Sequence, residues 1–297
     1  MKRFLSFAFA ALFLLTGLAA CSSSTDSEEE GLTVAATTYP LFLLASAVAE
    51  GSEDLTIVPV INQSVACLHD YTLTVTDMKI LEGADVVLCN GAGLEDFLDD
   101  ALEGKPTVDC STGVPLLMGD EDGEEEVDPH IWMDPDRAAI MVMNIADGLA
   151  EVDPDNAQLY QENGQQEAAD LSDFADECRE ALSDLACREL VTFHEGFAYF
   201  ADSMDLEILA AVEEESGSEA SAKEIVNIVS LIDEYDLPAI FVEENGSDAT
   251  ASAIQRECGV EIYSLTMMMS GPEEYSSENN YQTVMWKNIE VLQEALS

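Results

Sequence analysis

Residues 159–185, LYQENGQQEAADLSDFADECREALSDL, decide the architecture. Leu159, Leu171, Phe174, Cys178, Ala181, Leu182 and Leu185 recur at helical spacing, with no proline and a single glycine, Gly164, between them. The pattern predicts one helix of up to about eight turns, long enough to span a domain. On either side of it, short apolar runs alternate with helical patterns. Upstream, the strands are Leu32–Thr38, Leu55–Ile61, Ala84–Cys89 and Thr107–Cys110, and helices cover Pro40–Ala49, Thr76–Glu82 (Thr76 a candidate cap), Glu95–Ala101 and Asp136–Ala150. Asp153-Pro154-Asp155 punctuates the chain, with Pro154 suited to a helix N1 position. Downstream, strands Leu190–Phe193, Leu206–Val212, Ala239–Val242 and Val260–Leu265 alternate with helices Phe197–Ser203, Ala222–Tyr235, Ala249–Glu257 and Tyr281–Ala295. Such alternation predicts parallel α/β layers. The expected fold is therefore α/β, with two similar lobes joined by one long helix. The expected divisions are a leader (1–20), a tether (21–31), a first lobe (32–150), a linking helix (151–187) and a second lobe (188–297).

The 297 residues include 61 Asp and Glu against 10 Lys and Arg, a formal net charge of −51. Total charge, at 24% of residues, and hydrophobic content, at 47%, are ordinary for a globular chain, so the bases are what is missing. So negative a surface repels phosphate backbones, which excludes nucleic acid as a partner. It excludes charge-driven binding to anionic lipid as well. It suits cations and solubility, and it fits a chain adapted to salty or acidic surroundings. The stretch 119–128, GDEDGEEEVD, has no periodicity and reads as an acidic loop, either a solvated segment or a weak cation collector.

The first segment reads as an address. Lys2 and Arg3 precede an apolar run from Phe4 to Leu15, followed by Leu18-Ala19-Ala20-Cys21. This is the shape of a secretory signal, and the run is short for a membrane span. Cys21 after Leu-Ala-Ala looks like the lipidation site of a bacterial lipobox. Residues 22–31, SSSTDSEEEG, then form a flexible charged tether. The expected location is extracytoplasmic, anchored to the membrane through lipid on Cys21. Six further cysteines remain: Cys67, Cys89, Cys110, Cys178, Cys187 and Cys258. Cys89 and Cys110 each end a strand and so are candidate neighbours. Cys178 and Cys187 would stand about 13.5 Å apart along an unbroken helix, too far for a disulfide.

Only three histidines occur, His69, His130 and His194, and each follows a strand end or lies in a loop. Ligands of open α/β sheets collect at the carboxyl ends of strands. Three neutral imidazoles suit Zn²⁺, with a fourth place for a carboxylate or water. Cys67 is a spare soft donor, on the same side as His69 if that stretch is extended. Other motifs fail. His194-Glu195 lacks the second histidine of a metalloprotease helix, since Ala198 stands there. Asn90-Gly91-Ala92-Gly93 lacks the third glycine of a dinucleotide fingerprint, which is Asp96. Lys105 lacks the P-loop glycine, which is Asp99.

Several stretches carry a resemblance that spans nearly the whole mature chain. They are 68–71 (LHDY) with Asp77, 84–95 (ADVVLCNGAGLE), 128–135 (DPHIWMDP), 191–200 (VTFHEGFAYF) and 240–243 (IFVE). The 128–135 stretch is highly specific. With these motifs the chain resembles the metal-binding lipoproteins of ABC transporters, the zinc/manganese solute-binding family. The resemblance implies two α/β lobes bridged by a rigid long helix, with a metal site in the cleft. It makes His69, His130 and His194 the metal ligands, and histidine at the third place resembles the zinc-type members. The implied function is capture of Zn²⁺ and delivery to an ABC permease, by a monomer that is not an enzyme. Mn²⁺ or Fe²⁺ as cargo, a three-histidine zinc hydrolase and a surface adhesin are the alternatives. Two features depart from the family pattern. Thr266, in 265–270 (LTMMMS), stands where an acidic fourth ligand is expected, leaving the place to water, Glu243 or Glu244, or open. The segment before His130 is acidic rather than histidine-rich.

Overall fold

The computed structural model describes residues 31–62, 71–121, 124–212, 220–244 and 246–297. The first lobe runs β1 (Leu32–Thr38), α1 (Tyr39–Val48), β2 (Leu55–Ile61), α2 (Val75–Gly83), β3 (Val86–Cys89), α3 (Asp99–Leu102) and β4 (Thr107–Asp109). A hairpin follows, β5 (Met118–Glu121) and β6 (Glu124–Val127), then α4 (Pro135–Val152) and the long α5 (Ala157–Ala181). The second lobe runs β7 (Glu189–Thr192), α6 (Ala198–Ser203), β8 (Glu207–Ala211), α7 (Ala222–Tyr235), β9 (Ala239–Glu243), α8 (Ala249–Cys258), β10 (Glu261–Leu265) and α9 (Tyr281–Leu296).

The two lobes repeat one topology. The first sheet has the order β2-β1-β3-β4 and the second β8-β7-β9-β10, with every strand pair parallel. In each, the chain winds outward to one side from the lobe's first strand and then to the other. The switch points therefore lie between β1 and β3 and between β7 and β9, where open α/β sheets gather ligands at their carboxyl ends. Strands such as Val86–Cys89 and Ala239–Glu243 are buried throughout, as expected when both sheet faces are covered.

The long helix α5 is held to both lobes. Asn163 Nδ2 donates to the carbonyls of Val48 and Glu50 at 2.9 and 2.8 Å. Gln282 and Gln293 of α9 donate to Glu167 Oε1 and the Ala181 carbonyl at 2.8 and 2.9 Å. Gly164 is where α5 crosses α4: a Cβ there would stand 2.6 Å from Ala146 Cβ. One apolar core runs through both lobes, from Val34 and Leu88 to Phe241, Met267 and Ile289. A smaller cluster around Val191, Ile240 and Ile254 covers the outer side of the second sheet.

Several local expectations change. The acidic stretch 119–128 is not a loop over its length. Its backbone pairs as an antiparallel hairpin, Met118 opposite Val127 and Asp120 opposite Glu125, continued by the Asp128 N–H to the Leu117 carbonyl at 3.0 Å. Ladder hydrogen bonds here override a sequence without apolar alternation. Thr74, not Thr76, caps α2, because Asp77 returns the cap to the Thr74 N–H in a capping box. Pro154 lies in the turn between α4 and α5 rather than at N1, and Asn156 is the residue before α5. Cys89 and Cys110 are backbone neighbours, the Cys110 N–H donating to the Cys89 carbonyl at 2.9 Å, and both are buried free thiols. Cys178 and Cys187, separated by the end of α5, are also unbridged. Cys21 and Cys67 lie outside the described residues. Among the described residues no helix is long and apolar enough to cross a membrane.

Candidate metal centre

His130 sits in the 128–135 stretch, and nearly every polar group of that stretch is fixed. Asp128 Oδ1 accepts from both the His130 N–H (2.9 Å) and Nδ1 (2.8 Å). A carboxylate on Nδ1 holds the proton there and leaves the Nε2 lone pair for a metal, an arrangement common behind metal-binding histidines. Pro129 is held from the first lobe by Asn90 Nδ2, at 2.9 Å from its carbonyl. Asn90 is fixed in turn by Glu95. That buried carboxylate accepts from Thr37 Oγ1 (2.6 Å), the Asn90 N–H (2.7 Å) and the Gly91 N–H (3.0 Å). Burial pushes Glu95 up to about 7 despite those three hydrogen bonds, which pull the other way. From the second lobe, Tyr199 Oη donates to the Asp128 carbonyl at 2.8 Å. Trp132 Nε1 donates to the Met267 carbonyl at 3.0 Å, and Tyr281 Oη to the Trp132 carbonyl at 2.6 Å. Asp134 then caps α4, with Pro135 at its first position, and pairs with Arg137, which also reaches Asp202 at 3.0 Å.

His194 follows β7. Its backbone stays extended (φ −168°, ψ 148°), so it continues the line of the strand before the chain turns through Glu195–Phe197. Its Nδ1 accepts the Gly196 N–H at 2.9 Å. That bond places the proton of the neutral ring on Nε2. A metal bound through Nε2 therefore requires the ring to turn and exchange this contact. The rings of His130 and His194 lie 5.5 Å apart, centre to centre, at 84°.

β7 and β9 are neighbours with Thr192 opposite Phe241. Two residues on, His194 and Glu243 fall in the same register and, by strand alternation, on the same face. Glu243 is buried and, among the described residues, neither carboxylate oxygen has a hydrogen-bond partner. Burial, with the charge of Glu244 behind it, pushes its carboxyl up to about 8. Even so, among the described residues no three His, Cys, Asp or Glu side chains converge as a metal cluster, so Glu243 does not complete a set with the two imidazoles. Glu244 is exposed. Thr266 is bound up in its own turn: its N–H and carbonyl are both hydrogen-bonded to the Asn288 side chain at 2.8 Å, and its Oγ1 accepts the Met268 N–H at 3.1 Å.

The structure thus brings His130 and His194 together. His69, like Cys67, lies outside the described residues. Asp128, Asn90 and Glu95 are groups that sequence reasoning did not single out as part of the site. Asp128 had a local signal, an acid two residues before a candidate ligand. Asn90 and Glu95 lie in the 84–95 stretch that carries the resemblance, but nothing in it pointed to His130, because the Asn90–Pro129 bond crosses 39 residues of chain.

Two neighbouring imidazoles, one after β7 and one in the 128–135 stretch bonded to both lobes, suit a metal-binding solute receptor of two-lobed α/β fold. The chain belongs to the family of the zinc-uptake complex component A, periplasmic (ZnuA), whose model matches residues 34–295. It is 27% identical over 312 aligned residues to the high-affinity zinc uptake system protein ZnuA of Bacillus subtilis, covering 98% of this chain and 96% of that protein. It is 26% identical over 297 aligned residues to the manganese-binding lipoprotein MntA of Halalkalibacterium halodurans, covering 96% and 95%. A mutant structure of the laminin-binding adhesin Lmb from Streptococcus agalactiae shares the fold, with a TM-score of 0.77 at 24% identity over 90% of this chain and all of that one. The protein is a metal-binding substrate-binding component of an ABC transporter.

Proposed function

We propose that this chain captures Zn²⁺ outside the cytoplasm and hands it to the permease of its transporter, without chemical turnover. The observation that carries the reading is His130 held by Asp128 through Nδ1, with its ring 5.5 Å from that of His194. His69 is the third ligand in this proposal. The fourth place is open to water, since Thr266 offers no charge and its hydroxyl already accepts a backbone N–H. A neutral ligand set favours Zn²⁺ over Mn²⁺, which prefers carboxylate and water oxygens. The lipid anchor on Cys21, the monomeric state and the divisions at 20, 31, 150 and 187 belong to the same proposal.

Calorimetric titration of the purified full chain with Zn²⁺, Mn²⁺ and Fe²⁺, under reducing conditions, tests it. One-to-one Zn²⁺ binding is expected, tighter than that of the other ions and lost in both His194→Ala and His69→Ala. Weak binding of many ions, unchanged in these variants, would leave only the acidic surface as binder and overturn the proposal. Because protonated imidazole does not ligate, Zn²⁺ affinity should fall below about pH 6.

A further inference from the structure

The turn after β3 builds a cradle for a carboxylate. Gly91, Ala92 and Gly93 all take left-handed conformations (φ +79°, +56° and +87°). For alanine that conformation is costly and persists only where the surroundings hold it. Here the Ala92 N–H donates to Ser111 Oγ at 3.2 Å, and a Cβ on Gly91 would collide with Asp109 and Ser111. The winding aims the successive N–H groups of Asn90 and Gly91 at Glu95, at 2.7 and 3.0 Å, and Thr37 Oγ1 of β1 adds a third donor at 2.6 Å. Successive backbone N–H groups of this kind form an anion-binding nest, and the anion is the chain's own side chain. Two of the three partners are N–H groups that can only donate, so the cradle suits the ionised carboxylate. Burial and neighbouring charge oppose ionisation. Glu95 is 8% exposed, and the titratable groups facing it are Asp109 at the end of β4 and the thiols of Cys89 and Cys110. The cavity beside it is lined further by Asp96, Asp99 and Glu103, with no basic residue. The balance leaves Glu95 titrating at about 7.

Asn90 connects this cradle to the metal centre. It is wholly buried, its N–H is held by Glu95, and its Nδ2 donates to the carbonyls of Gly91 (3.0 Å) and Pro129 (2.9 Å). Pro129 directly precedes His130. One peptide earlier, the Asp128 carbonyl is held from the second lobe by Tyr199 Oη at 2.8 Å. Two adjacent carbonyls leading into His130 are therefore clamped from opposite lobes, and the first-lobe clamp ends in Glu95. Hydrogen bonds to an ionised acceptor are about twice as strong as neutral ones, so a proton on Glu95 weakens the hold on Asn90.

We propose that Glu95 and Asn90 are positioning residues for His130, a latch that is taut while Glu95 is ionised and slack once it takes up a proton, so that the first lobe tunes ion affinity with pH separately from the imidazoles. This rests on the reading of His130 as a ligand. The latch's share of the affinity is present above about pH 7 and lost as pH falls through it. The test is the Zn²⁺ affinity of the full chain, by chelator competition from about pH 6 to about pH 8, in wild type, Glu95→Gln, Asn90→Ala and the double variant. Protonation of the histidines is common to all four and cancels in their ratios. Glu95→Gln has no ionised state, so it should bind about tenfold more weakly than wild type at about pH 8 and equally at about pH 6. Asn90→Ala should lose about as much at about pH 8, and adding Glu95→Gln to it should lose nothing more. A merely structural role gives one ratio at every pH. A ratio that stays constant with pH, or losses that add in the double variant, overturns the latch and leaves the imidazole site standing. Zn²⁺ binding that survives His130→Ala overturns the reading of His130 beneath it. Should Glu95→Gln fail to fold, Thr37→Val carries the test. It removes one donor to the ionised form, so the midpoint of the affinity profile should move to higher pH, and an unmoved midpoint overturns the proposal.

Discussion

At the scale of single residues, two carboxylates near the site have opposite roles, and each yields a distinct expectation. Asp128 accepts two hydrogen bonds from His130, one from the backbone and one from the ring. Asp128→Ala removes the group that fixes the ring's tautomer and orientation. Zn²⁺ affinity should drop about 10- to 100-fold, with one-to-one stoichiometry kept. An unchanged isotherm would show that the ring is oriented without it. The Glu243 carboxylate is buried and, among the described residues, accepts no hydrogen bond. Its carboxyl titrates at about 8 in the fold, whereas in the unfolded chain it titrates at about 4.3. Between those values the folded protein holds a proton that the unfolded chain has lost, so stability is full below about pH 4 and declines as pH rises to about 8. A glutamine has no charge to bury. Glu243→Gln should therefore match wild type near pH 4 and exceed it by a few kcal/mol at pH 8.5, since each pH unit between the two titration points costs the wild type about 1.4 kcal/mol. Urea unfolding at the two pH values measures this, and a gap that does not grow with pH would contradict it.

At the scale of elements, the contact between α4 and α5 turns on Gly164. A methyl group there meets Ala146 Cβ at 2.6 Å, on a neighbouring helix that cannot step aside alone. Overpacking costs about 1–3 kcal/mol, while alanine gains about 1 kcal/mol in helix propensity over glycine. Crowding wins, so Gly164→Ala should lower the melting temperature by several degrees, and adding Ala146→Gly should recover most of the loss. A single variant as stable as wild type would mean the helices separate freely. The same elements show what the sequence made legible. Parallel strands buried on both faces read as plain apolar runs, which is why β1, β3, β7 and β9 stood out, along with the helices between them. The hairpin β5–β6 did not, since its acids stand opposite one another, Asp120 facing Glu125, and local preference opposes that pairing. The two described histidines were legible because histidine is scarce here and each follows a strand or a loop. The Asn90–Glu95 latch was not, because what matters about it is a contact between distant parts of the chain.

At the scale of the whole molecule, the repeated lobes invite a picture of two jaws, and the contacts between them oppose it. The main core is continuous from the first sheet to the second. Tyr39 Oη, from the first lobe, donates to the Pro272 carbonyl at 3.0 Å and to Asn279 Oδ1 at 2.9 Å. Asn62, at the end of β2, exchanges hydrogen bonds with the Gly271 N–H (2.9 Å) and carbonyl (3.0 Å). The 128–135 stretch is bonded to Asn90 on one side and to Tyr199, Met267 and Tyr281 on the other. A hinge motion of the kind seen in open two-domain receptors would break these bonds together, each at a net cost of about 0.5–1.5 kcal/mol, and would expose the apolar core that joins the lobes. Ion capture should therefore leave the lobes where they are. Small-angle scattering profiles with and without Zn²⁺ should superimpose, and thermal unfolding of the metal-free protein should be one cooperative calorimetric transition rather than two. A radius of gyration that shrinks on metal binding, or two separate transitions, would mean that the lobes behave as independent bodies. The shared core and these cross-lobe bonds would then be too weak to hold His130 and His194 at a fixed spacing. With them intact, the lobes hold His130 and His194 at a fixed spacing, and ion capture asks for a local turn of the His194 ring rather than for closure of the cleft.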